Sequence, residues 1–169
     1  MFGDLHIHMI LDGVYYRAAI DAQKEHPLDG LVRARLSDYQ ARGVCLLRDG
    51  GDAWGVSLRA RELAGEYGID YRSPAFPIYR RGHYGAFIGR GFDTEDEYRA
   101  LLDEAGEKRA DFIKLMISGL IDFDHFGVLT EPGPEPQDIR RMIELAHAAG
   151  FAVMAHANGD RAVMAALQA

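Results

Sequence analysis

The sequence predicts an α/β fold with a parallel sheet, and more narrowly a partial (β/α)8 barrel of about five β/α units. Three observations predict it. A short apolar run followed by an amphipathic stretch recurs five times along the 169 residues. Glycines stand where the helices should stop, and polar residues of unusual type close the apolar runs. Five units in 169 residues is about 34 residues each, so eight would need about 270, close to the roughly 250 of a closed barrel. A five-stranded doubly wound open sheet accommodates the same five units and is the alternative.

The strand candidates are Gly3 to Met9, Gly43 to Arg48, Ile69 to Phe76, Asp111 to Ile117 and Phe151 to His156. The helix candidates are Leu28 to Ala41, Ser57 to Tyr67, Thr94 to Arg109, Pro136 to Ala149 and Asp160 onward. Ile139, Met142, Ile143, Ala146 and Ala149 recur at the helical period. Thr94 with Glu97 three residues on is a capping-box signature. Gly43, Gly68 and Gly150 follow helical stretches, where a left-handed residue is needed. The stretch from Pro77 to Phe92 holds four glycines and reads as a long loop after the third strand. The last residues, Ala166-Leu167-Gln168-Ala169, carry no stop signal, so the whole of 1–169 reads as one domain, the first five-eighths of a barrel.

Composition excludes several classes. The chain is 48% hydrophobic and 27% charged, enough for one good core. Net charge is -7 with both signs interleaved, which argues against a nucleic-acid footprint. Cys45 is the single cysteine, so no internal disulfide can form, and it lies in an apolar strand where a core role is expected. No signal-like segment or long apolar run is present, so no membrane span and a cytoplasmic location are expected.

The chemistry begins in Asp4-Leu5-His6-Ile7-His8. Alternation along a strand puts His6 and His8 on one face and Leu5, Ile7 and Met9 on the other. Two imidazoles on one face can bind one metal ion. Lys114 sits in Phe112-Ile113-Lys114-Leu115-Met116-Ile117, although lysine is almost never buried unless paired. A reach to the surface through a salt bridge is its bland alternative. His156 closes the run Phe151-Ala152-Val153-Met154-Ala155. Active sites of barrels and open α/β sheets form at the carboxyl ends of strands, where these residues fall. Zinc suits imidazole and oxygen donors. A protonated lysine cannot ligate a cation, so Lys114 must stay out of the coordination sphere or be carbamylated.

These residues resemble the amidohydrolase superfamily of metal-dependent hydrolases. Three further segments resemble its imidazolonepropionase and prolidase-like branch: Gly43-Val44-Cys45-Leu46-Leu47-Arg48-Asp49-Gly50-Gly51, Asp111-Phe112-Ile113-Lys114-Leu115-Met116-Ile117-Ser118-Gly119, and Ala146-His147-Ala148-Ala149-Gly150-Phe151 with His156-Ala157-Asn158-Gly159. Gly82-His83-Tyr84-Gly85 resembles that branch's pocket-lining loop after strand 3. The resemblance implies one or two divalent ions, zinc foremost. His6 and His8 would bind the more buried ion, a carbamate on Lys114 would bridge two, and His156 would bind the second. It further implies that His83 faces substrate and that Arg48 and Asp49 support the site from behind, a plain strand-end ion pair being the alternative for those two. His125, in a loop, and His147, in a helix, are left outside the site, and His26 before Pro27 is expected at the surface.

The implied reaction is hydrolysis of an amide, peptide or cyclic amide bond in a small-molecule substrate by metal-activated water. A non-catalytic metal- or ligand-binding barrel fragment is the rival. The family's usual strand-6 histidine and catalytic aspartate would lie beyond Ala169, and Asn158 stands where the branch often has a second histidine. The isolated 169-residue chain is therefore expected to be inactive, and either to belong to a longer polypeptide or to have its open strand edge covered by a partner copy in a homo-oligomer.

Overall fold

The computed structural model describes residues 2–169. The chain divides into two compact units, one running to Phe76 and one from Pro77 to Ala169.

In the first unit, strands β1 (Phe2–Ile7), β2 (Val44–Asp49) and β3 (Asp70–Arg72) form a parallel sheet in the order β1-β2-β3. The crossovers are helices α2 (Asp29–Ala41) and α3 (Val56–Ala64), the latter tightened into a 3₁₀ turn at Gly65–Tyr67. A short helix α1 (Tyr16–Asp21) precedes α2, where no helix was expected. Six residues are too few to show a helical period. Val32 and Leu36 of α2 and Val56, Ala60 and Leu63 of α3 are buried with Ile7 and Leu47 of the sheet. Gly43 and Gly68 are both left-handed and end their helices as expected.

In the second unit the sheet order is β5-β4-β6-β7, all parallel. Its strands are β4 (Pro77–Arg80), β5 (Arg90–Phe92), β6 (Ile113–Met116) and β7 (Val153–His156). Helices α4 (Glu95–Glu107), α5 (Pro136–Ala148) and α6 (Asp160–Leu167) follow β5, β6 and β7. Ile139, Met142, Ile143 and Ala146 of the expected stripe of α5 are buried, Ala149 is exposed just past its end, and left-handed Gly150 follows.

Two expectations need correction. The Pro77 to Phe92 stretch is not a plain loop, since it contains β4 and β5, paired Ile78 to Arg90 and Arg80 to Phe92. Strands of three or four residues give alternation too little length to register, and proline at the first strand position hides the start of β4. The third strand is also shorter than Ile69 to Phe76. It stops at Arg72, and Ala75 takes a left-handed φ of 66° that breaks the extended run. The result is two parallel sheets, β1-β2-β3 and β5-β4-β6-β7, instead of one sheet of five strands. The α/β class is as expected, and strand and helix alternate except from β3 to β5, which follow one another without a helix.

Candidate functional site

The first unit presents the histidine pair at the carboxyl end of β1. Ile7 and Met9 are buried, so the intervening His8 is turned the other way, as is His6. Leu5 departs from this pattern and is half exposed at 49%. The two imidazole rings lie 5.7 Å apart between centroids, tilted by 52°. His8 Nδ1 is 2.9 Å from the Gly51 carbonyl oxygen. A carbonyl can only accept, so Nδ1 carries the hydrogen and Nε2 is the nitrogen that would meet a metal. The approach is close: a Cβ on Gly50 would overlap the His8 ring.

The loop that holds His8 is itself held by buried acids. Asp49 accepts hydrogen bonds from Met9 N–H (3.1 Å), Gly51 N–H (2.6 Å) and the Tyr71 hydroxyl. Burial pushes its carboxyl up, against these three donors. Asp52 accepts from the N–H groups of Trp54, Val56 and Ser57 at 2.7 to 3.0 Å, serving the start of α3. Burial, with neighbouring Asp49 adding to it, raises Asp52 to about 6. The Ser57 and Ser73 hydroxyls meet at 2.7 Å in the same buried layer. Arg48 turns aside, its Nε donating to the Leu5 carbonyl at 2.9 Å. Cys45 is half-buried, with Sγ 3.5 Å from the Phe2 carbonyl, so the core role expected for it is not found. It sits on a sheet flank with exposed Phe2, which the apolar run alone did not show. A cleft of about 440 Å³ opens beside His8, lined further by Leu11, Asp12, Arg35, Tyr39 and Arg42.

The second unit presents Lys114 and His156 on adjacent strands. Register pairs Lys114 with Met154 and Met116 with His156, so Lys114 and His156 stand on one face of the β6–β7 pair. Lys114 is fully buried, which removes the surface salt-bridge reading. His156 is lowered from its ordinary value, by burial first and by the nearby Lys114 charge, with the Gly119 contact opposing. A neutral imidazole is the form that ligates metals. Its Nε2 is 3.3 Å from Gly119 O and 3.1 Å from Asn158 Nδ2. Asn158 also donates to Gly119 O at 2.9 Å, and its main-chain N–H donates to Ser118 Oγ at 2.7 Å.

Around this pair the loop after β4 and the hairpin after β6 meet. The Tyr84 ring lies 5.1 Å from that of His156. His83 Nδ1 is 2.9 Å from Glu131 Oε2 in the hairpin. Sequence reasoning named His83, Lys114 and His156 but missed Glu131, Tyr84 and Ser118. Glu131 lies in Thr130-Glu131-Pro132-Gly133, which reads only as a turn, and nothing local announces a partner 48 residues away.

Among the described residues no group of three or more His, Cys, Asp or Glu is placed to hold a metal ion. The donors nonetheless suit one. Two imidazoles share a strand face in the first unit, with His8 oriented by a backbone carbonyl. In the second, His156 ends β7 with its imidazole kept neutral, and Lys114 is buried on the adjacent strand, where it would serve only as a carbamate. Among the described residues no helix is long and apolar enough to cross a membrane.

No family model and no curated protein matches the sequence. Solved structures do match. A prolidase complexed with N-methylphosphonate-L-proline is 23% identical over 99% of this chain and 45% of its own, with a TM-score of 0.69. The A. niger ochratoxinase is 18% identical over 98% of this chain and 44% of its own, also at 0.69. An amidohydrolase is 21% identical over 98% of this chain and 45% of its own, at 0.65. The chain thus spans less than half the length of these structures. Its fold is that of the amidohydrolase-type barrel, over the part that 169 residues span.

Proposed function

We propose that this chain belongs to a metal-dependent hydrolase that cuts an amide, peptide or cyclic amide bond in a small molecule. The observation that carries the reading is Lys114, fully buried in a parallel strand beside the strand of His156, in a chain with the fold of amidohydrolases and prolidases. His6 and His8 are proposed to hold a divalent ion, zinc foremost, through His8 Nε2. His156 is proposed to bind a second ion once Asn158 and the Gly119 carbonyl release its Nε2. Lys114 would contribute as a carbamate, which exchanges the buried ammonium for an anionic carboxylate whose oxygens a divalent ion would balance. The chemistry such an ion supplies is Lewis-acid polarisation of the amide carbonyl and acidification of a water molecule. The protein's part is to aim the imidazoles, exclude bulk water from Lys114 and place His83 toward substrate. Arg48 and Asp49 stand behind β1, Arg48 through the Leu5 carbonyl and Asp49 through the loop that orients His8. Turnover is proposed for the polypeptide of the neighbours' length, with the 169-residue chain inactive by itself and in self-association.

The test is metal content by elemental analysis on protein prepared without chelator, for the wild type and for His6→Ala with His8→Ala. The expected result is a divalent ion in the first and its loss in the second. Unchanged metal content in the double variant would overturn the assignment. Labelled bicarbonate should add a carbamate ¹³C resonance that is absent from Lys114→Met. Hydrolysis of dipeptides and cyclic amides, assayed on the 169-residue chain and on the longest polypeptide that carries it, decides the reaction.

A further inference from the structure

The hairpin after β6 runs out and back between Ser118 and Gly133. Asp122 N–H donates to Val128 O and Thr130 N–H to Leu120 O, each at 2.8 Å, and Ile121 bridges to Leu129. At its base, Glu131 turns its side chain away from the hairpin and toward the loop after β4. One oxygen, Oε2, accepts from the Gly133 N–H and faces His83 Nδ1, each at 2.9 Å. The other, Oε1, accepts from the Tyr84 N–H at 3.0 Å. Its own main-chain carbonyl accepts from the Gly119 N–H at 3.1 Å, beside the carbonyl that His156 and Asn158 share.

We propose that Glu131 is a positioning residue: it fixes His83 in the Nδ1–H tautomer and pins Tyr84 against His156. The consequence for a reaction rests on the hydrolase reading above, but the positioning itself does not. A carboxylate oxygen that already accepts from Gly133 can only accept from His83 as well, so the ring hydrogen must lie on Nδ1. Free imidazole side chains favour the hydrogen on Nε2. The carboxylate therefore overturns the intrinsic preference and makes Nε2 the nitrogen presented to a ligand, as an acceptor in the neutral ring. The Tyr84 bond acts in parallel. It anchors the backbone that carries the Tyr84 ring, which stacks at 5.1 Å and 37° on His156. One half-buried carboxylate thus orders both imidazoles that the sequence assigns to this end of the second unit. Burial pushes the Glu131 carboxyl up, yet the bonds from His83, Tyr84 and Gly133 outweigh it and leave it below the usual range.

The competing role for Glu131 is closure of the hairpin alone, through Gly133, with the His83 contact incidental. The tautomer separates the two. The experiment is a long-range ¹H–¹⁵N correlation spectrum of the 169-residue chain with ¹⁵N-labelled histidine. It is recorded with chelator present, at a pH where the rings are neutral, and His83 is assigned by its disappearance in His83→Gln. The proposal expects His83 as the Nδ1–H tautomer in the wild type. Glu131→Gln should shift it toward Nε2–H, because an amide whose oxygen serves Tyr84 turns its NH₂ toward His83 and Gly133. Glu131→Asp, which keeps the carboxylate, should retain Nδ1–H. The His156 resonances should stay in place in Glu131→Gln, whose amide oxygen keeps the Tyr84 bond, and move in Glu131→Ala as the Tyr84 ring relaxes. Nε2–H in the wild type overturns the proposal, as does an unchanged Nδ1–H population in a folded Glu131→Gln. Should Glu131→Gln fail to fold, the wild-type tautomer together with Glu131→Asp decides. No metal or substrate enters the measurement, so a chain that hydrolyses nothing leaves its outcome standing, and a wrong tautomer leaves the hydrolase reading standing.

Discussion

Lys114 and Asp52 show how burial can turn a single charge into a device. An ionised lysine at 0% exposure costs several kcal/mol to desolvate, and only specific compensation keeps it there. Lys114→Met preserves length and removes that cost. Its urea midpoint should match or exceed the wild type's, by up to about 2 kcal/mol in stability, while metal binding falls. A marked loss of stability would mean that the amine is a structural keystone instead. Asp52 carries a pH signature. Its folded value, raised to about 6, lies above the ordinary 3.8, so folding favours the protonated form. That contribution is fully present below about pH 4 and is lost as pH rises through about 6. The loss is about 3 kcal/mol at one pKa unit per 1.4 kcal/mol, and buried Asp49 shifts in the same direction. Urea denaturation from pH 4 to 7.5 should show the wild type weakening relative to Asp52→Asn across that window. Parallel pH dependences in the two proteins would refute it.

Helix ends and strand ends carry the next layer of organisation. The Thr94 hydroxyl caps α4 by accepting from the Glu97 N–H at 3.3 Å. Glu97 reaches back as the capping pattern requires, though to the Asp93 N–H at 2.7 Å, and it also pairs with Arg81. Thr94→Ala should cost about 1 kcal/mol, read as a lowered thermal midpoint with the fold unchanged. Thr94→Ser should restore most of it. No effect in the alanine variant would show that Glu97 and Arg81 hold this end without the hydroxyl. Arg141 and Arg99 hold Glu95 down at about 2, so the first turn of α4 stays anionic where its dipole favours it.

Each of the two units has its own parallel sheet, and β1 and β7 stand at the ends of their strand orders. Phe2 and Leu5 on β1 are exposed, as are Val163, Met164 and Leu167 on α6 and Phe123 and Phe126 in the hairpin, the last two almost wholly. Apolar area of this kind, next to unpaired strand edges, favours association. Sedimentation velocity of the 169-residue chain should show a weight-average mass that rises with concentration. A monodisperse monomer across a tenfold range would remove the expectation of self-association.

Periodicity and punctuation, which are local, were readable from the chain alone. The five longer helices lie within a residue or two of where their apolar spacing puts them, except that α3 yields to a 3₁₀ turn at Gly65. Gly43, Gly68 and Gly150 end helices because only a residue without Cβ adopts their conformation cheaply. The rings of His6 and His8 do come within 5.7 Å of one another, although β1 ends at Ile7 and Leu5 is exposed where alternation would bury it. Lys114 is buried because its strand is apolar on both sides. What lay beyond the sequence was whatever depends on partners far along the chain. The strands β4 and β5 are too short to have a period, and they exist because neighbours complete their hydrogen bonds. Asp52 and Glu131 read as ordinary acids until folding surrounds them with N–H donors, and in Glu131's case with an imidazole 48 residues away. Tertiary structure decided these, because the energy of a buried charge is set by the groups that replace its water, and those come from elsewhere in the chain.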